Sequence, residues 1–208
     1  FAGKYVHIGT DEYSNATQEL KEKFRAYTDR YLALIESYGK SPMVWGALSH
    51  ADGTTPVRQK GVTMGLWSND MADPVEMKRQ GWKMISMTDW QTYIVPIADY
   101  YHDYLPLDNL YNTWTPRVFR NVTLEENDPC IVGGMFALWN DIYGNGITVA
   151  DMHDRIFPVL QVIADKTWTA ALTTLPFDLF EQKKGLLSEA PGVNEMGRTK
   201  APMSLNEV

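Results

Sequence analysis

Hydrophobic and polar positions along this chain switch repeatedly between two periods. Short apolar runs at Lys4–Thr10 (KYVHIGT), Met43–Leu48 (MVWGAL), Val62–Trp67 (VTMGLW), Lys83–Met87 (KMISM) and Cys130–Trp139 (CIVGGMFALW) predict five strands. The last is apolar throughout and reads as one strand covered on both faces. Between Asn15 and Tyr38 the pattern changes. Leu20, Phe24, Tyr27, Tyr31, Leu34, Ile35 and Tyr38 recur at spacings of three and four, which predicts a long amphipathic helix closed by Gly39. Asp73-Pro74 caps a shorter helix ending at Gly81. A final helix is predicted from Val149 to Trp168, with Pro158 as a kink point.

Short apolar strands alternating with helices indicate an α/β fold with a parallel sheet and right-handed crossovers. A complete (β/α)8 barrel takes about 250 residues, more than five βα units supply. A doubly wound sheet is the alternative, but no G-x-G-x-x-G follows any strand, so a dinucleotide would lack its phosphate cradle. A partial barrel of the TIM type is the expected architecture. Residues 89–128 read as one long aromatic loop, and loops of that length inside an α/β unit carry function. From Ser188 to Val208 the composition turns to Pro, Gly and polar residues without periodicity. That divides the chain into residues 1–187 as the folded portion and 188–208 as a linker or the start of another module.

Charge and cysteine content narrow the classes. The 208 residues carry 19 Lys and Arg against 26 Asp and Glu, a net charge of −7 without any basic cluster, so nucleic acid is not an expected partner. No apolar run approaches the roughly 20 residues of a membrane helix, and membrane insertion is not expected. The single cysteine, Cys130, lies in an apolar run and reads as a buried, inert thiol. The four histidines are scattered without zinc-like spacing, so no metal and no cofactor is called for. Seven Trp and 11 Tyr stand out, and flat amphipathic rings suit the C–H faces of carbohydrate as well as a core.

Several predicted strands end in acids or aromatics, where a barrel enzyme carries its active face. These are Asp11-Glu12, Trp45, Trp67, the Trp90–Tyr93 stretch and Trp139-Asn140-Asp141. There is no Ser-His-Asp set. Carboxylic acids with tryptophans suit glycoside chemistry, in which an acid protonates the leaving oxygen and rings hold the sugar. Neighbouring residues of a strand face opposite ways, so Asp11 and Glu12 share a site only if the backbone turns at Gly9-Thr10. On the residues alone, the two acids serve equally well as favourable charges at the start of the following helix. His7 reads as a hydrogen-bonded structural histidine, and Trp90 and Trp114 as packing residues.

His7-Ile8-Gly9-Thr10-Asp11-Glu12 resembles the H-x-G-G-D-E signature of family 20 glycoside hydrolases, the β-N-acetylhexosaminidases and lacto-N-biosidases. The similarity continues in order through Trp45, Trp67, Tyr93, Tyr111-Asn112-Thr113-Trp114-Thr115-Pro116, Gly133-Gly134, Trp139-Asn140-Asp141 and the Phe157-Pro158…Trp168 helix. The resemblance implies a (β/α)8 barrel of which this chain holds strand four to helix eight, and a fragment at both ends. It implies substrate-assisted, retaining hydrolysis of terminal β-linked N-acetylhexosamine, with the substrate's acetamido oxygen forming an oxazolinium. Glu12 is then the general acid and base, Asp11 orients the acetamide, and Tyr93 donates to its oxygen. Trp45, Trp67 and Trp139 wall the pocket, and Asp141 accepts from sugar hydroxyls.

Three departures from the family pattern bear on specificity. Thr10 replaces the second glycine, Val95 stands where many members carry an acid, and Asp141 stands where many have Glu. Fewer acids around the outer edge of the sugar keep two alternatives open, a lacto-N-biosidase releasing a disaccharide and an inactive carbohydrate-binding fragment. The implied partner is an oligosaccharide or glycoconjugate. Open barrel edges make self-association an expectation as well. By resemblance the location is extracellular, periplasmic or at a bacterial cell surface.

Overall fold

A computed structural model describes residues 2–142, 144, 146–169 and 175–187. The proposed linker at 188–208 lies outside the described residues. In chain order the elements begin β1 (Tyr5–His7), α1 (Gln18–Ser37), β2 (Ser41–Trp45), β3 (Thr63–Leu66), α2 (Pro74–Gln80), β4 (Lys83–Ser86) and α3 (Asp89–Thr92). They continue β5 (Tyr93–Ile94), α4 (Leu107–Thr113), β6 (Val118–Phe119), β7 (Val122–Thr123), β8 (Ile131–Gly134), β9 (Ala137–Leu138), α5 (Val149–Thr169) and α6 (Phe177–Lys184). The chain forms two compact units, Phe1–Asp89 with Pro116–Met135, and Trp90–Thr115 with Phe136–Val208. Among the described residues no helix is long and apolar enough to cross a membrane.

The first unit is a parallel sheet in the order β1-β2-β3-β4-β8. Every pairing is parallel, and the strands stand next to one another in chain order, as successive crossovers of one hand produce. All five strands fall where apolar runs predict them. The long helix starts at Gln18 rather than Asn15, because the Thr17 hydroxyl accepts from the Leu20 N–H at 3.2 Å and caps the first turn. Asp73 does the same for α2, and Gly81 at φ 91° ends that helix in the left-handed conformation. Leu32, Val44, Val62, Met64, Leu66, Met77, Met84 and Phe119 form the centre of a continuous apolar core.

Two sequence readings need correction. Cys130–Trp139 is not one strand covered on both faces. It divides into β8, which joins β4 with a register shift between Met84 and Ile85, and β9, which pairs with β5 in the second unit. Val132 is exposed, so β8 is covered on one side only. Gly133 supplies no side chain to hold a strand straight, and the partner changes just beyond it. Residues 89–128, read as a loop, contain α3, β5, α4 and the antiparallel β6–β7 hairpin.

The second unit has less regular structure. Its sheet is the two-stranded β5–β9 pair, and α4, α5 and α6 pack around buried Leu110, Tyr111, Trp114, Val159, Val162 and Ile163. The α5 helix runs through Pro158, which has no N–H to offer the carbonyl four residues earlier. Arg155 is buried and forked onto Asp103, with Nε to Oδ1 at 3.0 Å and Nη2 to Oδ2 at 3.2 Å. Lys166 is fully buried, with its ammonium 3.7 Å from the Tyr111 ring centre.

Candidate active site

In the first unit the acids follow β1. Pairing with β2 continues past the strand, since Ile8 N–H donates to Met43 O at 3.0 Å and Trp45 N–H to Gly9 O at 2.8 Å. There the chain breaks its alternation. Gly9 has φ 78° and Thr10 φ 76°, two consecutive residues in the left-handed region. For glycine this is free of strain; for threonine it costs about 1–2 kcal/mol. The outcome is that Asp11 and Glu12, consecutive in sequence, both line one cavity of about 400 Å³. Thr10, Tyr13, Phe24 and Tyr27 complete much of its wall, and Tyr13 stacks on Phe24 with ring centres 5.7 Å apart. Within this unit both carboxylates are exposed.

Trp45 closes β2 at the same end of the sheet. Its ring lies 4.4 Å from the His7 ring, whose Nδ1 accepts from Gly9 N–H at 3.0 Å, the structural role expected of this histidine. Burial holds the His7 pKa below its ordinary value, against the opposing pull of Asp11. Across the ladder Trp45 pairs with Gly65, where an added Cβ would come within 2.7 Å of the indole. Gly65 therefore makes room for the tryptophan. Sequence reasoning missed it, although a glycine inside an apolar strand signals a close approach. Trp67 follows β3 at this end. Its carbonyl accepts from Asp89 N–H at 2.8 Å, and its buried Nε1 has no partner among the described residues.

The second unit gathers the other predicted residues. Tyr93 opens β5, is buried, and meets the Trp139 ring edge-on at 5.6 Å. Parallel pairing of Tyr93 with Ala137, and the bond from Trp139 N–H to Ile94 O at 2.9 Å, fix that approach. Asp141 follows two residues later and accepts from the Tyr100 hydroxyl at 3.1 Å. Desolvation, then the bond to Asp141, pushes the Tyr100 hydroxyl pKa up. Tyr101 touches Tyr93, Trp90 and Tyr100 edge-on, each at 5.6–5.7 Å. Neither Tyr100 nor Tyr101 was singled out by sequence; their only signal was the density of aromatics between Trp90 and Trp114.

Val95, at the position where an acid was missed, is fully buried, and its N–H donates to His102 O at 2.9 Å. It points into packing, so a carboxylate here would need a buried partner of its own. Trp114 is likewise buried, as expected of a packing residue. Cys130 is buried, and burial followed by the neighbouring Asp128 pushes its thiol up to about 12, which keeps it protonated and unreactive. Among the described residues no three His, Cys, Asp or Glu side chains converge as a metal site would require.

Asp11 and Glu12, Trp45 and Trp67 thus stand at the ends of β1, β2 and β3 on the carboxyl side of the five-stranded sheet, although neither tryptophan lines the cavity of the acids, and Tyr93, Trp139 and Asp141 stand beside β5 and β9. Solved structures with the same fold include Dispersin B, at 18% identity and a TM-score of 0.64 over 79% of this chain and 53% of that one. A β-N-acetylhexosaminidase from Bacteroides fragilis matches at 21% identity and a TM-score of 0.66, over 88% of this chain and 39% of the other. The pneumococcal virulence factor StrH matches at 22% and 0.63, over 78% and 44%. The chain therefore spans about half, or less, of the solved proteins it resembles. No protein of curated function matches it. The profile described as glycosyl hydrolase family 20, catalytic domain, matches residues 1–171. That domain type is a TIM barrel, and this chain belongs to glycoside hydrolase family 20.

Proposed function

We propose that residues 1–187 are strand four to helix eight of a (β/α)8 catalytic domain, and that 188–208 lead into a following module. The protein of which they form part removes terminal β-linked N-acetylhexosamine from glycans, outside the bacterial cytoplasm, with retention of configuration. In this reading Glu12 protonates the departing oxygen and later takes the proton of the incoming water. Asp11 accepts the acetamide N–H and balances the charge of the oxazolinium, while Tyr93 directs the acetamide oxygen at the anomeric carbon. Trp45, Trp67 and Trp139 form the walls against the sugar, and Asp141 accepts from its hydroxyls. Two similar proteins support this substrate class, one a β-N-acetylhexosaminidase and the other a pneumococcal exo-β-D-N-acetylglucosaminidase.

One observation carries the reading. The left-handed pair Gly9-Thr10 turns two consecutive acids onto one cavity, at a cost in strain that two acids serving only a helix start would not need. The test is release of 4-nitrophenol from 4-nitrophenyl β-N-acetylglucosaminide by the parent protein and by Glu12→Gln. The expected result is a loss of about 10²–10⁴ in kcat, the contribution of a general acid. Unchanged turnover in Glu12→Gln overturns the assignment. Saturable sugar binding without turnover in either version supports the carbohydrate-binding alternative instead.

A further inference from the structure

A second cavity of about 200 Å³ lies wholly within the second unit, apart from the acids. The α3 helix contributes Trp90 and Gln91 to it, α4 contributes Asn109, Leu110 and Thr113, and His102, Pro106 and the buried Trp114 complete the wall. Trp90 is 49% exposed, unlike the fully buried Trp114 behind it, so a large flat ring is offered to solvent at the cavity wall. Thr113 Oγ1 donates to Asn109 O at 2.7 Å and lies 3.1 Å from Asn109 Oδ1, which holds the amide oxygen beside the hydroxyl. The position of His102 is fixed too, by its bridge to Ile94 and its carbonyl bond to Val95.

The lining chemistry selects one ligand class. Among the described residues no lysine, arginine or carboxylate lines this cavity, so a phosphate or an ammonium would find no counter-charge there. An indole beside two carboxamides, a hydroxyl and an imidazole suits a neutral ring with C–H faces and a rim of hydroxyls. The volume falls below the roughly 300–1,000 Å³ of sites for drug-sized ligands, which leaves room for a single ring. Tyr101 meets both Trp90 and Tyr93 edge-on at 5.7 Å, so the Trp90 ring in the cavity wall is linked to Tyr93 through one intervening aromatic ring.

We propose that the Trp90 cavity is a binding site for a second pyranose residue of the glycan, beyond the residue that is hydrolysed. Trp90 stacks on the ring, and Gln91 and Asn109 bond its hydroxyls. The inference rests on the hydrolase reading for the identity of the glycan, though not for the binding itself. It makes the protein selective for chains over single sugars, because the extra contact exists only when the substrate has a second residue to place there.

The test compares the parent protein with Trp90→Ala and Trp90→Phe on 4-nitrophenyl β-N-acetylglucosaminide and on a β-1,4-linked GlcNAc tetramer. Tetramer binding is also followed by intrinsic fluorescence and ligand-observed NMR, which need no turnover. Trp90→Ala should lower kcat/KM for the tetramer at least tenfold, mainly through KM, and change the aryl glycoside less than twofold. Trp90→Phe should restore most of the loss, and unchanged aryl turnover certifies folding. Equal losses on both substrates, or none on either, overturn the second site. Tetramer binding that Trp90→Ala weakens tenfold in a protein without turnover sustains the site and overturns the hydrolase. Absence of tetramer binding overturns the site outright.

Discussion

The two units contain mirror-image ion pairs. In the first, Asp128 is buried and its partner Lys78 is partly exposed, joined at 2.5 Å; in the second, Arg155 is buried and its partner Asp103 is nearly half exposed. In the first unit the pair sits at the margin of a core already formed by aliphatic and methionine side chains from β2, β3 and β4, with Ile131 of β8 packed against it. In the second, with only a two-stranded sheet, Arg155 is itself a structural hub: it holds Asp103, donates to Asp151 O at 2.9 Å and lies 4.3 Å over the Tyr104 ring. Tyr104 in turn donates to Asp154 at 2.9 Å. A sheet-based unit tolerates polar ties as additions, whereas a unit of short elements depends on them for its shape.

The sharpest way to break this contrast is to remove one anchor from each. Met64→Ala, in the fully buried centre of the first unit, should cost about 2–5 kcal/mol in urea unfolding, the usual range for emptying a core site. Arg155→Met should cost about 2 kcal/mol, since charged hydrogen bonds are lost while the half-exposed Asp103 regains water. It should also lower the thermal midpoint more in low salt than in high salt. If Arg155→Met proves neutral, the second unit does not rest on polar ties.

Asp128 gives the next smaller effect. Its bonds to Cys130 and Lys78 hold its carboxyl down to about 2, below the unfolded value of 3.8. The stability it supplies is therefore complete above pH 3.8 and disappears as the pH falls toward 2. Asp128→Asn should remove that acid step and cost about 1.5 kcal/mol at neutral pH, measurable by denaturation at pH 7 and pH 3. The smallest change expected is a gain. Thr10→Gly should relieve the left-handed strain and raise stability by up to about 1 kcal/mol, the gain being offset partly by chain entropy. A loss of stability there would mean that the threonine hydroxyl, which bonds the Gly9 carbonyl, outweighs the strain.

How well the sequence could be read follows the same division. All five parallel strands were visible, because each falls within a short apolar run and their order follows the chain. The break between β8 and β9 was hidden, because Met135 and Phe136 continue the apolar run while the pairing partner changes, and hydrophobicity carries no record of partners. The turn that sets Asp11 and Glu12 on one cavity was legible through Gly9 before them. The left-handed Thr10 was not, since nothing in a threonine marks positive φ. Gly65 signalled a close approach, but Trp45 could be named as what approaches it only with the register that sets the two opposite. Tyr100 could not be chosen among its neighbours, because its bond to Asp141 joins residues 41 positions apart.

Cys130 turns its inertness into a use. With one thiol in the whole chain, shielded where β4 and β8 meet and almost never ionised, a thiol-alkylating reagent can modify it only when that end of the sheet opens. The rate of labelling would therefore act as a clock for one defined opening event, read by mass without any added probe. Because the sulfur belongs to the first unit, the clock would time the sheet's own opening and be blind to local fraying around the Trp90 cavity.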